Sequence, residues 1–363
     1  MNFKLKNQLL LLFVLISINC NSDKTAEFDI TNIGQKHIND KSLEVFDIQF
    51  EEVKSSPTLT GATSNKKAYS DLKAFSDSSG YQFNVKLLPD ASLGDSIYAL
   101  VNVSVTPLRE MPMHSSQMVD QVIMGNTIRL LRKSGDWYQI QTHYLYIGWI
   151  HKTAIYRCDR STLMIWRNQA IFKINQLYST VYSLPKINSD PVSDLVLNNK
   201  LKVIRKLLKW VKVELPDNRT GYVRSKELEK VSPYTAKNFD SDKLLLVAHQ
   251  MMGIPYLWGG NSTKANDCSG FTQTVFKSQN FQLPRDARQQ ALLGKSIELK
   301  DSQPGDLFYF GDGEKVKHVG ICVGGKAFIH QGGKVDIHSL DPYSKLYNAK
   351  RANTFLFAKR LGS

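Results

Sequence analysis

The sequence predicts a multidomain, β-rich protein in which two small all-β barrels are followed by an α+β domain. The chain has 363 residues, which exceeds one typical domain. Its middle third repeats itself and alternates apolar with polar residues, whereas its last third mixes helical and strand patterns around turn-rich stretches. A hydrophobic content of 42% and a charged content of 22% are ordinary for soluble globular domains.

Changes in composition and turn residues between the periodic stretches divide the chain into five segments. Pro233 marks the last of these boundaries, in a polar connection. The predicted segments are a signal peptide (1–20), a linker with a short helical region (21–80), a first barrel (81–158), a second barrel (159–232) and the α+β domain (240–363).

The first twenty residues have the pattern of an export signal. Lys4 and Lys6 form a basic start, and the apolar run Leu9–Ile18 is short for a bilayer span. Ser17–Cys20 resembles a bacterial lipoprotein processing site, in which Cys20 would be lipidated; cleavage of an ordinary secretory signal nearby is the alternative. We therefore expect an exported lipoprotein of the cell envelope, periplasmic or associated with the outer membrane, tethered to a membrane by its lipid.

An internal repeat accounts for the two barrels. Met113–Ile150 can be laid over Lys186–Val223 at a constant offset of 73 residues, which brings Trp137 onto Trp210. Both copies alternate apolar and polar residues and are broken by turns, a pattern typical of short strands. Each copy therefore predicts one small β-barrel.

The net charge of +14 is spread along the chain. Such a charge suits contact with anionic wall polymers or membrane surfaces, although most of it would be solvated surface. No zinc-finger, helix-turn-helix or RNA-binding aromatic motif is present, so we predict no nucleic-acid partner.

Cys268 is the strongest candidate for a nucleophile. It follows Asp267, a good N-cap residue, and precedes apolar residues at helical spacing, so it should lie in the first turn of a helix. Backbone N–H groups and the helix dipole favour a thiolate there. His318 and His330 lie on two strands joined by the tight turn Val323–Lys326, where they could face each other. A thiol, a base and a group that orients the base are what acyl transfer from an amide requires.

Other interpretations remain open for these residues. A single Cys at a helix start is often a small buried hydrophobe, and a single His on a strand is often structural. Cys322, four residues after His318, raises the possibility of zinc, but the close ligand pairs of zinc motifs are missing and we predict no metal. Whether Cys158 pairs with Cys322 does not follow from their spacing.

The segment from Lys243 to Ser363 resembles the NlpC family of bacterial cell-wall cysteine peptidases. The matching elements are Pro255–Gly260, Asp267–Phe271, Leu283–Asp286, Pro304–Leu307, His318–Ile321 and Ile329–His330. The resemblance implies a papain-like fold, with Cys268 as nucleophile, His318 as base and His330 as the third member. The two barrels resemble bacterial SH3-like domains, which implies contact with wall peptides or a part in shaping the cleft.

The resemblance also implies substrate contacts. Tyr256 could contact the substrate or the oxyanion, Asp267 could bind a free amino terminus in addition to capping its helix, and Ser269 could donate to the glutamate carboxylate. Asp286 precedes another predicted helix, and Tyr146 is the first barrel's best candidate for reaching the cleft. Structural roles for all five are the alternative.

No acidic residue of the first barrel can be matched to the family's amine-binding group, and Asn126 lies near the expected position. We predict a cysteine endopeptidase that cleaves the γ-D-glutamyl–diamino acid bond of peptidoglycan stem peptides or of released tripeptides. Alternatives are an N-acetylmuramoyl-L-alanine amidase, an acyltransferase or a non-catalytic wall-binding lipoprotein. We expect no cofactor and a monomer; the identity of the diamino acid does not follow from the sequence.

Overall fold

The computed structural model describes residues 26–53, 56–231 and 239–362. The chain divides into two compact units, one that ends at Gly94 and one that begins at Asp95. Cys20 and the predicted signal peptide lie outside the described residues. Within the described ranges, no helix has the length and apolar character that crossing a bilayer requires.

The first unit is a small α/β fold. Its elements are α1 (26–37), β1 (Phe46–Val53), β2 (Ser56–Thr63), α2 (Lys66–Ser79) and β3 (Gln82–Leu87). β1 pairs antiparallel with β2, and β2 pairs parallel with β3 through the crossover helix α2. A linker with a short helical region was expected over most of this range. The sequence QFNVKL of β3 does alternate polar and apolar residues, so the pattern of a strand was present in this range.

The second unit begins with a seven-stranded antiparallel sheet. Its strands are β4 (Tyr98–Val101), β5 (Val105–Arg109), β6 (Met118–Ile123), β7 (Thr127–Ser134), β8 (Trp137–Thr142), β9 (Ile147–His151) and β10 (Ile155–Cys158). They are ordered β10-β4-β7-β8-β9-β5-β6. The predicted first barrel therefore starts later than residue 81, because β3 belongs to the other sheet.

Helix α3 (Arg160–Gln169) leads to a second seven-stranded sheet. Its strands are β11 (Phe172–Ile174), β12 (Tyr178–Tyr182), β13 (Pro191–Val196), β14 (Lys200–Lys206), β15 (Trp210–Glu214), β16 (Thr220–Arg224) and β17 (Leu228–Lys230). Read from one edge, the order is β17-β11-β14-β15-β16-β12-β13. Each strand then occupies the place of its counterpart in the first sheet, from β17 in the place of β10 to β13 in the place of β6. The 73-residue repeat is thus a repeat of topology. No ladder among the described residues closes either sheet, so two closed barrels stay a prediction.

The carboxyl-terminal domain has an α+β fold. Its helices are α4 (Ser241–Gln250), α5 (Cys268–Ser278), α6 (Ala287–Gln290) and α7 (Ala349–Asn353). Its strands are β18 (Lys295–Ile297), β19 (Leu307–Asp312), β20 (Lys315–Gly324), β21 (Ala327–Gln331), β22 (Val335–Ser339) and β23 (Phe355–Arg360). They form one antiparallel sheet ordered β18-β23-β19-β20-β21-β22.

The core of this domain holds α5 against the sheet. Phe271 and Val275 of α5 are fully buried against Ile321 of β20 and Ile329 of β21. Burying side chains of this size stabilises the fold by roughly 1.5–3 kcal/mol each. The nucleophile candidate therefore stands on a rigidly packed helix. That this domain is papain-like in detail stays a prediction.

The remaining cysteines are free thiols in separate cores. Cys158 packs beside Leu163 and Trp166 of α3, and Cys322 packs on the other face of the carboxyl-terminal sheet from α5. The structure therefore contains no Cys158–Cys322 disulfide.

Candidate active site

Cys268 is the first residue of α5, as its position after an N-cap residue predicted. The Asp267 carboxylate accepts a hydrogen bond from the Gly270 N–H at 2.8 Å, which caps the helix. Gly270 also allows a close approach, because a Cβ on it would lie 1.9 Å from the Gly260 carbonyl oxygen. The sulfur is thus held where the N–H groups of the first helical turn are free of helical partners.

Three histidines form a chain of hydrogen bonds beside this sulfur. His318 Nε2 lies 2.7 Å from His330 Nδ1, and His330 Nε2 lies 2.9 Å from His338 Nδ1. The predicted encounter of His318 with His330 across the hairpin is confirmed. With both Nε2 atoms protonated, each ring donates to the next, and His318 Nδ1 is left as the free acceptor.

Burial keeps the resting thiol and imidazole neutral. It raises the pKa of Cys268 to about 11, and the charge of Asp267 acts in the same direction, whereas a hydrogen bond from the Val319 N–H opposes it. Burial, assisted by the charge of Arg351, lowers the pKa of His318 well below 6.5. We expected a depressed thiol pKa from the helix start alone; desolvation outweighs the helix terminus here. At pH 7 His318 is therefore an unprotonated base.

A buried ionic network holds the two residues that flank the nucleophile, Asp267 and Ser269. Arg285 donates to both Asp267 oxygens, at 3.0 and 2.6 Å, and to Ser269 Oγ at 2.9 Å. Its Nε donates to Asp120 of β6 at 2.5 Å. Arg285 and Asp120 are both fully enclosed, with 2% and 0% of their side chains exposed. The Arg285 guanidinium thus connects Asp120 of the first sheet to the residues that flank Cys268.

Asp120 has a full set of donors. Besides Arg285, the Asn261 amide donates to it at 3.1 Å, the Gln121 N–H at 2.8 Å, and the Tyr144 hydroxyl in a short hydrogen bond. Burial raises the pKa of Asp120 and the charge of Arg285 opposes this shift. Four donors suit an ionised carboxylate, which accepts only.

A cleft of about 520 Å³ opens over Cys268. The predicted residues that line it are Cys268, His318, Tyr256, Asp267, Ser269, Asp286 and Tyr146. His330 lies behind His318 and touches it directly. The first sheet closes one side of the cleft with Gln117, Val119 and Tyr146.

Tyr146 and Asp286 meet across this domain boundary. The Tyr146 hydroxyl donates to Asp286 Oδ1 at 3.2 Å, and Arg288 donates to Asp286 Oδ2 at 3.1 Å. Asp286 is also the N-cap residue of α6. Its carboxylate also accepts from the Gln289 N–H in the capping box of that helix. These three protein donors are fewer than those of Asp267, so the Asp286 carboxylate retains capacity for a ligand.

Two expectations about individual residues need correction. Asp267 accepts five hydrogen bonds, from Gly259, Ser269, Gly270 and twice from Arg285, which leaves no free lone pair for a substrate amine. Asn126, the suggested neighbour of an amine-binding group, lies away from the cleft and accepts from Lys277 Nζ at 3.3 Å.

Several residues of the site were not predicted from the sequence. Asp120 sits in a strand with no motif around it, and it reaches Arg285 only because two domains dock. His338 lies in the strand Val335–Ser339. Its spacing of two residues from Asp336, which places both on one face of the strand, is the feature of the sequence that could have indicated it. Gln117 faces the cleft from a loop edge.

Comparisons with known proteins agree with this geometry. Residues 253–354 match the NlpC/P60 family, and these residues contain Cys268 and all three histidines. The carboxyl-terminal domain is an NlpC/P60 domain. Residues 104–155 match the bacterial SH3 domain, so the first sheet is an SH3 domain and the predicted order of the two domain types is confirmed. For the second sheet this assignment stays a prediction.

Relatives share more than the NlpC/P60 domain. A dipeptidyl-peptidase 6 of Lysinibacillus sphaericus is 27% identical over 267 residues, covering 70% of this chain and 96% of its own. A gamma-D-glutamyl-L-lysine dipeptidyl-peptidase of Bacillus subtilis is 26% identical, covering 61% of this chain and 75% of its own. The murein DD-endopeptidase MepS/murein LD-carboxypeptidase of Escherichia coli is 38% identical over 104 residues, or 27% of this chain and 55% of its own.

Solved structures show the same fold. The crystal structure of an NlpC/P60 family protein from Bacillus cereus superposes with a TM-score of 0.64 at 19% identity, covering 73% of this chain and all of the other. An NlpC/P60 endopeptidase from Photobacterium damselae gives 0.55 at 15% identity, covering 74% of this chain and 72% of its own. At identities this low, the superpositions show a shared fold and nothing beyond it.

Proposed function

We propose that this protein is a cysteine peptidase that hydrolyses the γ-D-glutamyl–diamino acid bond of peptidoglycan stem peptides. The observation that carries the proposal is Cys268 at the start of a buried helix, in one cleft with His318 and the histidines behind it. The names of the Lysinibacillus and Bacillus relatives, both dipeptidyl-peptidases, support release of an amino-terminal dipeptide.

The chemistry follows from the neutral resting pair. Cys268 Sγ bonds to the amide carbon while His318 Nδ1 accepts the thiol proton, and His318 returns this proton to the amine as the C–N bond breaks. Water then attacks the thioester, giving its proton to His318, and the thiol is restored. The N–H groups at the start of α5 stabilise the oxyanion. The Tyr256 hydroxyl, whose pKa burial raises to about 12, remains a donor in the cleft.

The dipeptide end of the substrate lies toward the SH3 domain in this proposal. Tyr146 and Gln117 close that side, and Asp286 offers a carboxylate for the free ammonium of L-alanine. Asp267 and Ser269 instead hold Arg285 and thereby fix the helix start. A peptide whose amino terminus is blocked would offer Asp286 no ammonium to add to its ion pair with Arg288.

Mass spectrometry of the products tests the bond and the amine together. We expect the protein to release L-Ala-D-Glu from L-Ala-γ-D-Glu-diaminopimelate. We expect a drop in kcat/KM of about 100-fold or more for the N-acetylated peptide, because a charge-assisted contact is lost.

The variant Asp286→Asn keeps the shape of the carboxylate and removes its charge. It should lower kcat/KM for the free peptide toward the value for the blocked one, while Asp136→Asn on the exposed face of the SH3 domain should not. Equal cleavage of both peptides by the unmodified protein would disprove the amine contact and favour intact wall as substrate. If the protein instead cleaves only muramyl peptides, and releases from them the whole stem peptide beginning with L-alanine, the amidase is favoured.

We also propose that the protein acts in the cell envelope, anchored through a lipid on Cys20. The sequence Ser17–Cys20 supports this location, as does a wall-derived substrate. A palmitate analogue fed to producing bacteria should label the protein, and Cys20→Ala should be unlabelled and leave the membrane fraction. Labelling of Cys20→Ala would contradict the anchor.

A further inference from the structure

A second cavity lies at the opposite end of α5 from Cys268. It consists of two adjoining hollows of about 190 and 290 Å³ that share His143 and Lys200 in their walls. The SH3 domain, α3, the second sheet and the NlpC/P60 domain all contribute to it. We call it the basic cavity, after the side chains of Lys173, Lys200, Lys277, Arg167 and His143.

The lysines and Arg167 of the basic cavity have little counter-charge, whereas burial lowers the pKa of His143 to about 3 and keeps that ring neutral. Within the described part of the chain, Glu229 is the one carboxylate at ion-pair distance from any of them, 3.1 Å from Lys173 Nζ. Lys277 Nζ donates to the neutral Asn126 at 3.3 Å, and Arg167 donates to a threonine hydroxyl. The Lys200 ammonium has no hydrogen bond or ion pair to any described residue.

Repulsion between neighbouring positive charges disfavours the charged forms of these lysines. Burial and the charge of Lys200 lower the pKa of Lys277 to about 7. Burial and the charges of Lys173 and Arg167 lower the pKa of Lys200. An anion among these groups would offset the repulsion and favour their charged forms.

Asn198 adds an unsatisfied acceptor to the wall. Its side chain is 1% exposed, and its Nδ2 donates to the Thr274 carbonyl at 3.1 Å, which fixes the orientation of the amide. The buried Oδ1 has no hydrogen-bond partner within the described residues. Such a group calls for a donor, but the Oδ1 atom itself is enclosed within the wall.

We propose that the basic cavity binds a phosphate-like dianion, either free hydrogen phosphate or the phosphoryl group of a small monoester. Lys200 and Lys277 would supply the charge, and Asn198 would form part of the wall beside the ligand. Ammonium groups bind phosphate well as point charges. The proposal does not depend on which bond the peptidase cleaves.

The position of the basic cavity links it to domain docking. Lys173 reaches from the second sheet to the last turn of α5, where its Nζ donates to the Ser278 carbonyl at 2.5 Å. The turn between β8 and β9 places His143 in the basic cavity and Tyr146 in the active-site cleft. A bound dianion would hold both sheets against the NlpC/P60 domain and steady this turn.

Thermal unfolding of the whole protein tests the site. Inorganic phosphate and glycerol phosphate are each compared with chloride at equal ionic strength. We expect phosphate at saturation to raise the unfolding temperature by about 5 °C in the unmodified protein. Lys200→Met should reduce the rise to about 1 °C or less, whereas Lys186→Met, which removes an exposed charge elsewhere, should keep it. Lys200→Arg retains the charge and should retain most of the rise.

The outcomes separate clearly. A rise with inorganic phosphate alone assigns the free ion, and a rise with both compounds assigns the phosphoryl group of a monoester. If the unmodified protein responds no more to phosphate than to chloride, or if Lys200→Met responds as fully, the proposal is wrong. Isothermal titration of the unmodified protein with phosphate answers the question even if Lys200→Met does not fold.

Discussion

Replacing Cys268 by alanine is expected to reduce peptide hydrolysis by about 10⁴-fold or more, with little change in stability. The sulfur forms the covalent bond to the substrate, and no other thiol lines the cleft within the described residues. Loss of a nucleophile removes a whole covalent pathway, which is why the effect is so large. Rates of dipeptide release, measured by mass spectrometry over hours, give the range needed.

Cys322→Ala is the matched control for this experiment. Cys322 is a buried thiol of the same domain, but it lies in β20 and packs among Phe308, Phe328 and Leu340 on the face of the sheet away from α5. We expect it to lower the unfolding temperature modestly and to leave kcat/KM within about twofold, since it touches no part of the cleft. Retained hydrolysis by Cys268→Ala would overturn the mechanism, and an inactive unmodified protein would favour the wall-binding alternative.

The histidines should act as a unit with the thiol. His318→Ala is expected to lose nearly as much activity as Cys268→Ala, and the double variant should lose no more, because each removal disables the same step. His330 only orients His318, so His330→Gln, which can still accept from His318, should be less severe. Additive losses in the double variant would contradict a shared step.

Asp120→Asn is expected to destabilise the second unit by about 3–5 kcal/mol, although the residue touches no substrate. The change removes one of the two carboxylates that face the buried Arg285 guanidinium, and it places an amide N–H₂ or O among four donors. The urea midpoint of unfolding measures the loss. Activity should fall as well, because Arg285 also holds Asp267 and Ser269 beside the nucleophile.

Asp136→Asn is the control for charge removal from the same sheet. Asp136 pairs with Lys152 on the exposed surface, so its replacement should leave the midpoint nearly unchanged. An Asp120→Asn protein as stable as the unmodified one would show that Asp120 is already protonated. In that case the burial that raises its pKa would outweigh the attraction of Arg285.

The sequence by itself determined the local features of this protein. The capping role of Asp267, the helix that Cys268 begins and the two hairpin histidines are all set by residues close together in the chain. The 73-residue repeat is visible in the same single sequence. Capping, helical spacing and strand alternation act over a few residues, so a single sequence displays them. The repeat predicted two copies of one β-rich unit, and both sheets have one strand order.

The tertiary structure decided what depends on docking and on burial. Asp120 meets Arg285 across 165 positions of sequence, and Tyr146 meets Asp286 across 140, which no local pattern encodes. Desolvation in the assembled cleft, rather than the helix start, sets the neutral state of Cys268. The basic cavity exists only where both sheets and α5 converge. Contacts between distant segments and the loss of water around them are properties of the packed molecule, so these features appear only in three dimensions.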